Sequence, residues 1–167
     1  MQNKTATGLV KWANKALKEG WGYVWGTYGS ILTPELLDFK SKQYPKEVGE
    51  IRDFLAQNYL GKRVTDCSGM IKGYFWYNEE KGDVVKNTTF FPEKNADSMF
   101  EESIEKGKIA TIPEEPGTIV WQKGHLGVYI GNGRVIEAHE VKHGVNQKVE
   151  MTNLKDGKWT NWFKIFD

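Results

Sequence analysis

One cysteine and three histidines are the residues of this chain best suited to covalent chemistry. Cys67 stands in Asp66-Cys67-Ser68-Gly69, at the predicted first turn of a helix. A thiol there meets unpaired backbone N–H groups and the positive end of the helix dipole, both of which favour the nucleophilic thiolate. The competing reading is a lone buried cysteine acting as a small hydrophobe, against which the polar neighbours Asp66 and Ser68 argue. A thiol nucleophile needs a base within hydrogen-bond reach. His125 opens the predicted strand His125-Leu126-Gly127-Val128-Tyr129-Ile130, His139 ends the next one, and His143 sits beside Gly144 in a predicted turn. His125 is the candidate base, because Gly127 leaves space beside it and it completes a Cys/His pair.

The base in turn needs an acceptor to orient it, and hairpin register narrows the choice. Leu126, Val128 and Ile130 form one apolar face, and Ile136 and Ala138 the matching face of the next strand. A two-residue loop at Asn132-Gly133 would place Val128 opposite Glu137 and mix the faces. A three-residue loop, Gly131-Asn132-Gly133, pairs Val128 with Ile136 and Leu126 with Ala138, and is the expected register. It puts His125, Gly127, Glu137 and His139 on one face, with His139 opposite His125 and Glu137 diagonal to it. Either could hold the imidazole, since diagonal neighbours stay within reach of long side chains.

Several elements must position these groups. Leu9, Ala13, Ala16 and Leu17 form one stripe of a helix over residues 5–19, closed by Gly20. The aromatic and glycine-rich run 21–26 reads as a loop or short edge segment. Residues 30–62 read as an excursion containing a helix over about 46–58, ended by Gly61. Thr65-Asp66 offers N-cap chemistry for a helix over 67–80, and another helix spans 95–106, closed by Gly107. After Pro116 the period changes to two, with strands expected over 118–122, 125–130, 134–139, 148–151 and 162–166. Helices first and antiparallel strands after predict an α+β domain.

Composition excludes competing classes. A chain of 167 residues predicts one domain, and a single cysteine excludes internal disulfides and zinc sites built on two thiolates. With 23 Lys+Arg against 22 Asp+Glu, there is no basic footprint for nucleic acid. No apolar run approaches the ~18 residues that suggest a membrane span. The 7 tryptophans fit either an aromatic groove or a Trp-rich core. The start Met1-Gln2-Asn3-Lys4 has no apolar signal region, which reads as release through a holin, another export route, or a trimmed domain.

Tyr23-Val24-Trp25-Gly26, Asp66-Cys67-Ser68-Gly69, Pro116-Gly117-Thr118-Ile119-Val120, His125-Leu126-Gly127-Val128-Tyr129-Ile130-Gly131-Asn132-Gly133 and Val135-Ile136-Glu137-Ala138 resemble, in that order, the NlpC family of cell-wall cysteine peptidases. The resemblance spans residues 21–139. It implies a papain-like fold and hydrolysis of peptidoglycan stem peptides, often between D-glutamate and the diamino acid, with no metal or cofactor. It implies Cys67 as nucleophile, His125 as base and Glu137 at the third polar position, where histidine is the common choice, with His139 as fallback. It further implies that Tyr23 binds substrate or steadies the oxyanion, and that Asp66 and Ser68 contact the stem peptide's free amine. Thr27 replaces a usual glycine. The segment from that motif to the cysteine is longer than is usual, so the excursion either walls the groove or decorates a remote surface. The expected protein is a monomeric endopeptidase, favoured as a phage or prophage lysin. An amidase or acyltransferase using the same pair and a non-catalytic wall-binding module are the rival readings.

Overall fold

The computed structural model describes residues 3–140 and 147–166; His143 lies outside them. The first helix, α1 (Ala6–Glu19), starts at Thr5, whose side chain accepts from the Gly8 N–H, and stops at Gly20, which takes the left-handed conformation with φ 66°. The strands β1 (Gly22–Tyr23) and β2 (Tyr28–Ile31) follow. Residues 21–26 were expected to form a loop or edge; instead β1 lies inside the sheet, between β3 (Arg63–Thr65) and β10 (Lys148–Asn153). Two residues are too short a run for any period to announce.

The excursion carries two helices, α2 (Pro34–Gln43) and α3 (Arg52–Tyr59), the latter preceded by a 3₁₀ turn at Gly49–Ile51. The single helix expected over 46–58 therefore starts late, and α2 was not anticipated. Its Thr33 cap and Pro34 at the first helical position were the available signal, but one buried residue, Leu37, leaves almost no apolar stripe to read. Val24, Leu32, Leu37, Val48, Leu55, Tyr59 and Val64 form a core that ties the excursion to the sheet edge.

α4 (Cys67–Trp76) ends sooner than the sequence suggested, because Tyr77–Asn78 (β4) pairs with Asp83–Val84 (β5). α5 (Ala96–Glu102) is likewise shorter, and Lys106–Lys108 forms β6. The remaining strands are β7 (Ile119–Gln122), β8 (His125–Gly131), β9 (Arg134–His139) and β11 (Asn161–Phe163). The nine-stranded sheet runs β2-β3-β1-β10-β9-β8-β7-β11-β6. Among the described residues, only β1 and β3 pair in parallel. The α+β expectation holds, although the sheet also recruits four short strands, β1, β2, β3 and β6, from the helical half.

Hairpin register came out as expected in the strands but not in the loop. Val128 pairs with Ile136 and Tyr129 with Val135, whereas Gly131 pairs with Arg134 across a bulge. The loop is therefore Asn132-Gly133, with φ 54° and 69°, the backbone that Asn-Gly hairpins favour. The extra residue sits in the strand and keeps the apolar faces in phase.

Leu9, Ala13 and Ala16 of α1 and Met70 and Ile71 of α4 are fully buried against Ile119, Leu126, Val128, Ile136 and Ala138. Each buried Leu, Ile, Val or Met contributes roughly 1.5–3 kcal/mol. The Trp12 indole N–H donates to the Met70 carbonyl at 3.0 Å, joining the two helices. Gly69 and Gly73, one turn apart, let α4 lie on the Thr27–Tyr28 backbone. An added Cβ would stand 1.9 Å from the Thr27 oxygen and 2.0 Å from the Tyr28 oxygen.

Candidate active site

Cys67 is the first residue of α4, and Asp66 is its cap. Asp66 Oδ1 accepts from the Gly69 N–H at 2.7 Å and Oδ2 from the Gly26 N–H at 2.8 Å. One carboxylate thus starts the helix and anchors the loop carrying Trp25. The Ser68 hydroxyl is 3.5 Å from Asp66 Oδ1. These bonds make Asp66 a brace first, while Asp66, Ser68, Cys67 and Tyr23 all line one cleft of about 680 Å³. A larger groove of about 940 Å³, around β4 and β5, is lined by Trp76, Tyr77 and Phe90 and lacks Cys67.

The thiol lies beside the backbone N–H of Leu126, which brings Cys67 to the His125–Leu126 peptide on β8. Its electrostatics reverse the sequence expectation of a ready thiolate. Burial, then the Asp66 charge, push the thiol up to about 12, against the opposing N–H groups of Leu126, Ser68 and Cys67. The helix start supplies the anticipated dipole, but desolvation outweighs it. Burial, then the Asp66 and Cys67 charges, also raise the Tyr23 phenol, leaving it a hydrogen-bond donor at ordinary pH.

His125 Nε2 is 3.0 Å from Glu137 Oε1, which leaves Nδ1 for proton exchange on its other side. His139 Nδ1 is also 3.0 Å from that oxygen, and Thr152 Oγ1 donates to Glu137 Oε2 at 2.6 Å. Glu137 therefore bonds His125 directly, while His139 bonds the same carboxylate and meets the His125 ring edge-on, with centroids 6.2 Å apart. Burial alone would raise the Glu137 pKa, but hydrogen bonds from His125, Thr152 and His139 hold it down at about 2. An anionic carboxylate only 5% exposed is tolerable because both oxygens are satisfied.

One ring nitrogen each of His125 and His139 and one carboxylate oxygen of Glu137 lie within 4.8 Å of one another, close enough to hold a cation. The mutual hydrogen bonds explain the cluster without one.

Two groups around His125 escaped the sequence reading. Trp159 stacks on the imidazole, with ring centroids 5.3 Å apart and planes 16° from parallel. It comes from an irregular segment without periodicity. Thr152 would have been legible only from the pairing of β10 with β9, which sets Glu150 opposite Glu137 and Thr152 one step diagonal to it. Gly127 was expected to leave space beside His125; the space is filled, since an added Cβ would meet Val135 Cγ1 at 2.6 Å, the Trp159 ring at 3.2 Å and Glu137 Cβ at 3.3 Å. Five of the 7 tryptophans serve one or other of the two expected uses. Trp12, Trp21, Trp76 and Trp159 are buried, while Trp25 lines the cleft. The excursion also reaches the cleft, through Phe39, Lys40, Gln43 and Tyr44.

No family model and no curated protein matches the chain. Solved structures do. NlpC2 from Trichomonas vaginalis superposes over 99% of this chain with TM-score 0.53 at 16% identity. The P60 domain of an antigen from M. avium subspecies paratuberculosis superposes over 97% of this chain and 98% of its own, with TM-score 0.52 at 20% identity. The NlpC/p60 domain of the peptidoglycan hydrolase SagA covers 97% and 100%, with TM-score 0.50 at 15% identity. The chain spans about half the length of the Trichomonas proteins NlpC2 and NlpC1, 49% and 45% respectively. At these identities the likeness is one of architecture, and the chain has the fold of NlpC/P60 domains.

Proposed function

We propose that the protein is a cysteine peptidase cutting peptide bonds in peptidoglycan stem peptides, between D-glutamate and the diamino acid. The observation that carries this reading is Cys67 at a helix start, beside β8, with His125 braced by Glu137 on β9. The SagA domain, from a peptidoglycan hydrolase, has the same fold.

The chemistry follows from a neutral thiol. His125 Nδ1 takes the Sγ proton as sulfur attacks the scissile carbonyl. Glu137 stabilises the imidazolium so formed. The backbone N–H of Cys67 and the Tyr23 hydroxyl serve the oxyanion, and one such donor is worth on the order of 10²–10³ in rate. The imidazolium then protonates the leaving amine as the C–N bond breaks. Water, deprotonated by His125, releases the acyl group and restores the thiol.

Digestion of purified peptidoglycan by the wild type and by Cys67→Ala, read by mass spectrometry, tests this. New D-glutamyl carboxyl and diamino-acid amine ends are expected from the wild type alone. A cut at the sugar–peptide link would establish an amidase, and glycan binding without turnover a wall-binding module. Lysis of cells from outside, or only after holin permeabilisation, would bear on the proposed phage or prophage role.

A further inference from the structure

The excursion brings to the cleft a cation that has no direct ion pair among the described residues. Lys40 of α2 is half-buried, and its Nζ sits 5.4 Å from the Phe39 ring centroid and 5.6 Å from that of Tyr44. It donates to Gln43 Oε1 at 2.9 Å, and no carboxylate of the described residues forms an ion pair with it. Burial holds its pKa below the usual lysine range, with the Asp66 charge opposing. Tyr44 is fixed in turn by Trp25, whose ring meets it edge-on at 6.4 Å.

The rest of that wall is also short of anions. Lys72 of α4 and Lys86 share one carboxylate, that of Glu93, and all three line the cleft. Asp97, which lines the cleft with Glu93 and Asp66, is engaged by Lys123, the Trp121 indole and the Gly124 N–H. Lys40, Lys72 and Lys86 against Glu93 and Asp66 leave one cation in excess. A lysine serving only solubility would extend into water, as exposed Lys42 can. A partly desolvated ammonium over two rings, with Asp66 and Glu93 acting on it but no carboxylate among the described residues in direct ion pair with it, gains from an anion that arrives in contact.

We propose that this wall is a carboxylate-binding subsite in which Lys40 of the excursion takes a free carboxylate that the peptide substrate carries beside its scissile bond. The assignment rests on the peptidase reading above and adds the source of its selectivity. A carboxylate offers only acceptors to the ammonium; a carboxamide is neutral and presents an NH₂ that cannot accept. Amidation of that carboxyl therefore weakens the substrate by roughly 10- to 100-fold, the range for a hydrogen bond to a charged group.

The test uses synthetic stem peptides in matched pairs. One pair differs by amidation at the D-glutamyl carboxyl outside the scissile bond, the other by amidation at the diamino acid's carboxyl. Turnover is measured with the wild type, Lys40→Gln and Lys40→Arg, and binding by calorimetry in the Cys67→Ala background with and without Lys40→Gln. In one pair the wild type should prefer the free carboxylate by roughly 10- to 100-fold. Lys40→Gln should bring that ratio close to one, and Lys40→Arg should restore it, which a folding defect would not do. Turnover without a preference in either pair, or a preference surviving Lys40→Gln, overturns the subsite and leaves the peptidase standing. Carboxylate-selective binding that depends on Lys40, without turnover, keeps the subsite and overturns the peptidase. Absence of both binding and turnover overturns both.

Discussion

Replacing Glu137 by glutamine removes the charge from the one carboxylate shared by His125, His139 and Thr152. Its pKa falls from 4.5 to about 2 in the folded protein. A depressed carboxylate stabilises the fold fully above its unfolded pKa, and that contribution disappears as pH falls through the folded one. The window is therefore pH 4.5 down to about 2. The shift corresponds to on the order of 3 kcal/mol. Urea unfolding followed by tryptophan fluorescence, at steps across that window, measures it. The wild type should lose on the order of 3 kcal/mol more than Glu137→Gln on acidification. Glu93 and Asp97, also depressed, are present in both proteins and cancel in the difference. Parallel acid limbs would refute the claim that this anion is held by its three partners.

The sole thiol makes its own titration clean. With Cys67 at about 12, about one molecule in ten thousand is thiolate at pH 8, and iodoacetamide alkylation should keep accelerating well above pH 9. A plateau below pH 7 would contradict this, while Asp66→Asn should shift the profile down by removing the adjacent charge. Gly73→Ala drives a Cβ to within 2.0 Å of the Tyr28 oxygen. It should lower stability by about 1–3 kcal/mol in chemical denaturation, and an unchanged midpoint would show that α4 can shift freely. Trp159→Phe trims the ring stacked on His125; kcat should fall, by up to about 10²-fold, with KM held. A rise in KM alone would place Trp159 in substrate binding instead.

The sequence was most legible where burial imposes a period. Leu9, Ala13 and Ala16 announced α1, and alternation in β8 and β9 fixed the pairing that carries Glu137 to His125. It was least legible where elements are short or polar outside. β1 has two residues, and α2 buries only Leu37, so neither shows a period. The asparagine–glycine loop was readable in isolation, but the bulge that reconciles it with the apolar faces was not. The state of Cys67 depends on how tightly the helix start is enclosed, which residue types alone do not disclose. Trp159 and Lys40 come from segments whose approach to the site is purely tertiary.

The proposed reaction begins with attack of Cys67 on a peptide bond of the stem peptide. Mass spectrometry of purified peptidoglycan after incubation with wild type or Cys67→Ala tests it most directly. New carboxyl and amine ends between D-glutamate and the diamino acid are expected with the wild type, and none with Cys67→Ala. The same fragments released by a folded Cys67→Ala protein would contradict it, because the chain has no second cysteine to take over the reaction.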